Sequence, residues 1–268
     1  MKKYLGLLGY ELKTMFKGSL NLFMVLYPLI MLFMIGYLLP EIVSRTAEPD
    51  SAVTAYVLLI GFAVVAALGG FMGGAMLGFS LLENKDENTI QSIAVSPITV
   101  SGYTVFKSAY TFVLAFIGDI VLLGGLKLFF NDVFVINFGG VTIGLLDNLG
   151  WSHIIVFCLA SGLIVPTFAM LIAAIAKNKI EGFAFMKSSG LVIMLPLLTL
   201  LDAFQDWKQY LLGIVPNFWT IKPILNLALS SGNASDLSFY AYVGIGSVYM
   251  IVLAYICFKF FIKRVYLK

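Results

Sequence analysis

The chain has 268 residues, 60% of them hydrophobic and only 12% charged, about half the charge density of a soluble domain, which excludes an ordinary water-soluble fold. A formal net charge of +3 is too small to draw a nucleic-acid partner, and the lysines stand in short clusters beside apolar runs, where membrane topology accounts for them. Cys158 and Cys257 both fall inside apolar runs and read as packing residues, not as a disulfide or metal pair.

Residues 1–19 come before any span. On a helix at about 100° per residue, Leu5, Leu8, Leu12, Met15 and Phe16 fall within an arc of about 100°, and Lys2, Lys3, Lys13 and Lys17 fall on a neighbouring arc. This is the pattern of a helix lying in the membrane interface, although a positive flank that merely fixes orientation has the same residues. A spanning helix needs about 20 mostly apolar residues. Six runs qualify: Leu20 to Leu39, Val53 to Leu82, Phe106 to Phe130, Ile154 to Ala176, Gly182 to Leu201 and Tyr240 to Ile262. The first is longer than a signal-peptide core and no small-residue cleavage site follows it, so it is expected to remain as a span. The second exceeds the bilayer and must tilt, kink or project into water. The fifth contains Lys187, which can snorkel to the inner surface, and is interrupted by Pro196. Residues 202–239 have an apolar centre, Tyr210 to Leu229, broken by Pro216 and Pro223; they read as short interfacial or re-entrant helices at the outer surface. The expectation is one all-α integral membrane domain over 1–268.

Positive residues stay on the cytoplasmic side of short loops. With six spans and both termini inside, thirteen of the 17 Lys and Arg fall on the inner side, and only Arg45, Lys127, Lys208 and Lys222 fall outside. A missed span would invert that asymmetry. The expected location is a cell membrane, multi-pass, with both termini cytoplasmic.

Familiar enzymatic constellations are missing. The single histidine, His153, rules out paired-histidine zinc sites, no G-x-S-x-G elbow occurs, and Asp119 is the one acidic residue deep in a predicted span. The phosphate-cradling G-x-x-x-x-G-K-[ST] is absent as well, so no catalytic residue, cofactor or metal is expected in this chain. Two features within spans remain. Gly69, Gly70, Gly73, Gly74 and Gly78 form overlapping G-x-x-x-G spacings, a flat stripe on which another helix comes close, either inside the chain or across a moving or dimerising surface. Asp119 lies near mid-bilayer, at a cost of about 2.5 to 3.5 kcal/mol on insertion scales, and is a candidate for translocation or gating. A hydrogen-bonded or protonated carboxyl inside the bundle is the alternative.

The inner stretch from Glu83 to Lys107 starts acidic, continues with Ile90, Ile93 and Ala94 at helical spacing, and stops at Ser96-Pro97. A short amphipathic helix of this kind suits docking into a soluble partner's groove. Here the chain resembles the membrane subunits of ATP-binding-cassette transporters of the type-2 export permease family. That family shows an acidic stretch, then Glu-Gly-Thr-Leu-Glu, a short helix ending in Ser-Pro, and a lysine as the next span begins. This chain has Glu87-Asn88-Thr89-Ile90-Gln91, Val95-Ser96-Pro97-Ile98 and Lys107, departing at Asn88 and Gln91. Its Pro216-Asn217-Phe218-Trp219-Thr220-Ile221-Lys222 is similar to the family's Pro-x-Tyr-Trp-x-x-Lys before the last span.

The resemblance implies a permease subunit, paired as a homodimer or heterodimer among membrane lipids. It would rest on a separate ATPase that holds ATP and Mg. Glu83, Glu87, Thr89, Ile90, Ile93, Ser96, Pro97 and Lys107 would form the ATPase-coupling surface, with the N-terminal helix and Lys177 to Glu181 adding contacts. The cargo would be a hydrophobic or amphipathic drug, antibiotic or lipid-like molecule exported across a bacterial membrane. A secondary transporter and a non-transporting scaffold or immunity protein are the alternatives, although the former usually shows several ionisable groups at depth.

Overall fold

Apolar residues are so dense along this chain that, once water is excluded, backbone groups can be satisfied only within helices or closed barrels. Helices are what the computed structural model shows over the described residues, 2–15, 19–48, 51–87, 99–138 and 140–266. Among them six helical stretches are long and apolar enough to cross a bilayer: Val25–Thr46, Ala52–Lys85, Val100–Phe129, Trp151–Ile175, Lys179–Leu200 and Phe239–Arg264. The even count leaves the helix that precedes them, α1 (Lys2–Met15), at the same end as the end of the last crossing. That end is the terminal face.

The first crossing comprises α2 (Ser19–Phe33), a π turn (Met34–Leu38) and α3 (Leu39–Thr46). It runs past Leu39, where the sequence suggested an end, because the π turn breaks the regular α ladder just before Pro40 and so accommodates its missing N–H. Helix α4 (Ala52–Asp86) has 35 residues, about 52 Å at 1.5 Å per residue, against a hydrocarbon core of about 30 Å. It therefore projects from the membrane. Glu83 stands on the last turns of α4, and Lys107 lies within α5 (Val100–Asp119), so the stretch read as a coupling loop over 83–107 is helical at both ends. Thr89, Ile90, Ile93, Ser96 and Pro97 lie outside the described residues.

Helix α5 passes through a π turn (Ile120–Gly124) into α6 (Gly125–Phe129). A hairpin follows, β1 (Val135–Phe138) against β2 (Val141–Gly144), antiparallel with Val135 opposite Gly144. Gly140 turns it at φ 87°, a left-handed value that glycine adopts without strain. Phe134, Ile136, Leu145, Leu146 and Leu149 are fully buried there and pack in one cluster with Leu58, Phe62 and Phe157, plugging the face opposite the termini.

The fourth crossing is α7 (Trp151–Gly162) and α8 (Ile164–Ile175). The fifth is α9 (Lys179–Met194), which tightens into a 3-10 stretch (Leu195–Leu200) at Pro196, since proline denies α-helix a donor and crowds the preceding turn. Two more 3-10 segments, Asp202–Phe204 and Trp207–Ile214, and α10 (Phe218–Ala228) lie on the opposite face before the last crossing, α11 (Phe239–Tyr266). Central α4 touches α2, α5, α7, α8, α9 and α10. Outward side chains such as Leu191 and Val248 are apolar and exposed, which costs nothing against lipid tails.

Candidate functional site

The glycine stripe of α4 is two-sided. A Cβ on Gly70 would strike the Ser161 carbonyl and hydroxyl, and one on Gly74 or Gly78 would press on Phe168, Val165 or Ile172, so this row lies against α7 and α8. Gly69 and Gly73 face α5 instead: a Cβ on Gly73 would reach Ala115 as well as Val165, and one on Gly69 would enter the Asp119 carboxyl. Lipid tails are as apolar as leucine, so close packing of this kind, and not the hydrophobic effect, draws membrane helices together.

Asp119 is 3% exposed and ends α5 at the π turn, an irregularity common at functional sites. The Ser161 hydroxyl hydrogen-bonds its carboxyl, while Oδ2 has no partner among the described residues. Tyr27 of α2, 6% exposed, likewise leaves its hydroxyl unpartnered there. Both side chains line one cavity of about 210 Å³ between α2, α4 and α5. Gly118 accommodates the Pro28 ring at this point, with no room for a Cβ.

At the terminal face, polar side chains tie the end of α4 to its neighbours. Lys179 Nζ lies 2.7 Å from Glu83 Oε1 and 3.9 Å from Glu87 Oε1, all about half exposed, so α9 holds the two predicted acids together. Lys85 donates to the carbonyls of Ala173 at 3.3 Å and Ala176 at 2.9 Å, and Arg264 of α11 donates to Ala174 at 3.0 Å. Two cations thereby satisfy orphan carbonyls at the negative end of α8. Asn84 donates to the Tyr103 hydroxyl at 2.9 Å. Lys107 bonds to neither Glu83 nor Glu87: it pairs with Glu11 of α1 at 3.0 Å, donates to Ser80 of α4, and covers the Tyr103 ring. Asn178 caps α9 by accepting from the Glu181 amide, and Glu181 accepts in return from the Lys177 amide.

On the opposite face, the residues quoted from the Pro-x-Tyr-Trp-x-x-Lys resemblance form a buried lock. Asn217 donates to the Ile193 carbonyl at 2.8 Å, and the Trp219 indole donates to Gly213 at 2.9 Å. Lys222 lies 3.6 Å from Asp236, with side chains 3% and 6% exposed. Burial lowers the Lys222 pKa despite that partner. Asp236 also accepts from Gln209, Tyr242, Asn226 and the Asn233 amide. Burial alone would raise its pKa, but the Asn233 amide, Gln209, Lys222 and Tyr242 together hold it below the ordinary carboxylate value.

Tyr27, Glu11, Lys85 and Asp236 escaped the reading of candidate sites, while Lys179 fell within Lys177 to Glu181, the segment expected to add contacts. Glu11 had a signal, as the only acid in the first forty residues. The others stand in unremarkable surroundings whose partners come from distant segments.

The chain matches the family described as "Fluoroquinolones export permease protein Rv2686c-like" over residues 11–258. Two relatives from Mycobacterium tuberculosis, fluoroquinolones export permease protein MT2760 of strain CDC 1551 / Oshkosh and fluoroquinolones export permease protein Rv2686c of strain ATCC 25618 / H37Rv, are each 22% identical over 255 residues, covering 94% of this chain and 90% of theirs. No solved structure matches it. With nearly its whole length covered by that match, the chain is a multi-pass membrane protein that belongs to the Rv2686c-like fluoroquinolones export permease family.

Proposed function

We propose that this chain is the membrane-spanning subunit of an ATP-driven exporter, working as a pair of permease subunits on separate ATPase subunits that bind ATP and Mg. The terminal face is then cytoplasmic, in agreement with its excess of Lys and Arg. The cargo is a hydrophobic or amphipathic drug-like molecule, a class that includes what the two mycobacterial relatives are named for. Supporting this reading is the projecting end of α4. Through Glu83, Asn84 and Lys85 it is bonded to α9, α5 and the end of α8, and through Lys107 the frame continues to α1. A displacement of the segment between α4 and α5 would reach all of these helices as a rigid-body motion.

Charge reversal tests the reading. Glu83→Lys with Glu87→Lys, or Pro97→Ala alone, is expected to reduce co-purification of the ATPase about tenfold or more, the loss of about 1.4 kcal/mol of docking, while the chain still inserts. Adding Lys179→Glu restores an internal ion pair of reversed sign without restoring the ATPase. Wild-type association in the double variant and in Pro97→Ala would refute the coupling surface.

A further inference from the structure

The cavity between α2, α4 and α5 has a composition that selects its occupant. Its walls are apolar or weakly polar, with Met72 and Met76 as adaptable side chains, and among the described residues lining it none is basic. Its two strong polar groups are both unsatisfied, Asp119 Oδ2 and the Tyr27 hydroxyl. A buried oxygen without a partner is costly, and a buried carboxyl takes its charged form most readily when a cation binds beside it. Leu29 and Ile117, at 53% and 51% exposure, stand at the rim, so an apolar molecule can enter from the lipid side without crossing charged groups.

We infer that this cavity binds the protonated amine of a lipophilic cation, with Asp119 as its counter-ion, the Tyr27 oxygen as a second acceptor, and the apolar body of the ligand against Met72, Met76 and Leu114. Pairing of opposite charges is strongest where water is excluded. An ammonium supplies the N–H donors that both oxygens lack. The glycine at position 69 leaves space for the carboxyl between α4 and α5. The inference deepens the exporter reading by naming a cargo class, and its relevance to transport rests on that reading, but the binding itself needs no ATPase.

The test uses the full chain in lipid nanodiscs, titrated with naphthylmethylammonium and with ethylnaphthalene as its neutral counterpart; the saturable fraction is read by naphthalene fluorescence anisotropy. Wild type is expected to bind the ammonium about tenfold more tightly than the neutral probe. Asp119→Asn is expected to remove that preference while the neutral probe's affinity changes by less than about twofold, and Tyr27→Phe to weaken the ammonium about threefold. Equal affinities for the two probes in wild type, or unchanged ammonium affinity in Asp119→Asn, overturns the proposal. Should Asp119→Asn fail to insert, Tyr27→Phe and the cavity-filling Met76→Trp decide, and undiminished ammonium binding in both overturns it. A chain that binds ammonium yet recruits no ATPase sinks the exporter reading and leaves this site standing; one that recruits the ATPase but shows no charge preference does the reverse.

Discussion

Removing the Asp236 carboxylate would leave Lys222 buried at 3% exposure without a counter-charge. Breaking one half of a buried pair typically costs about 3–5 kcal/mol. Asp236→Ala is therefore expected to lower the melting temperature markedly, with the opposite face loosening first, as read by the fluorescence of Trp219 and its fellow tryptophans. The pH dependence has a definite sign. A carboxylate whose folded pKa is depressed contributes its stability in full above its unfolded value, about 3.9, and loses it as the pH falls through the folded value. The lock is thus expected to persist below the ordinary carboxylate range and open in stronger acid, and Asp236→Asn to flatten that acid limb. An Asp236→Asn protein with wild-type melting at neutral pH and an unchanged acid profile would contradict this account. Lys222 was visible beforehand as the end of a motif, but its partner was not: Asp236 stands in a polar stretch, Ser-Gly-Asn-Ala-Ser-Asp, that reads as solvated until the fold brings Gln209 and Tyr242 to it.

A helix is held in lipid by what its surface lets approach, and for α4 that surface is glycine. Gly70→Val places a methyl-bearing Cβ where the Ser161 carbonyl lies. Overpacking costs about 1–3 kcal/mol where neighbours can yield, and more against backbone, so this variant is expected to melt lower or fail to assemble. Gly190→Ala, on α9 with open space around it, is expected to melt within a degree or so of wild type. Similar melting temperatures for the two variants in one detergent would mean that α4 and α7 are not packed this tightly.

At this scale the sequence was informative about where helices run and poor about where they end. Hydropathy placed six crossings, but it could not show that a π turn lets the first continue beyond Leu39 or that α4 projects to Asp86. The hairpin 135–144 was illegible for another reason: two four-residue strands are too short for a periodicity, and their stability comes from Phe134, Leu145 and Leu146 packing onto the bundle. In the site, Asp119 and the glycines announced themselves by being polar or small where lipid demands neither. Tyr27 did not, because a tyrosine in an apolar run is ordinary.

The two ends of the molecule are built differently, and this decides which end can move. The opposite face is closed by the buried Asp236 network and the hairpin plug, with Asn148 also bonded to Ser230 at 2.6 Å. At the terminal face α9 is held to the end of α4 by half-exposed pairs such as Lys179 with Glu83, each worth about 0–1 kcal/mol and screened by salt. A force applied at the end of α4 would therefore part α9 from α4 before it disturbs the plug, and the spans would tilt about their fixed ends. On the proposed exporter reading, and in a background with Cys158 and Cys257 replaced, joining Glu83→Cys to Lys179→Cys with a short thiol-reactive linker is expected to stop ATP-dependent cargo movement in proteoliposomes, and cleaving the linker to restore it. The same linker between Asn148→Cys and Ser230→Cys is expected to leave transport within about twofold of the unlinked protein, because that contact lies within the plug of one subunit and need not part when cargo passes. Arrest by the second linker but not the first would reverse the assignment: the opposite face would be the one that opens, and the frame around Lys179 would be the pivot.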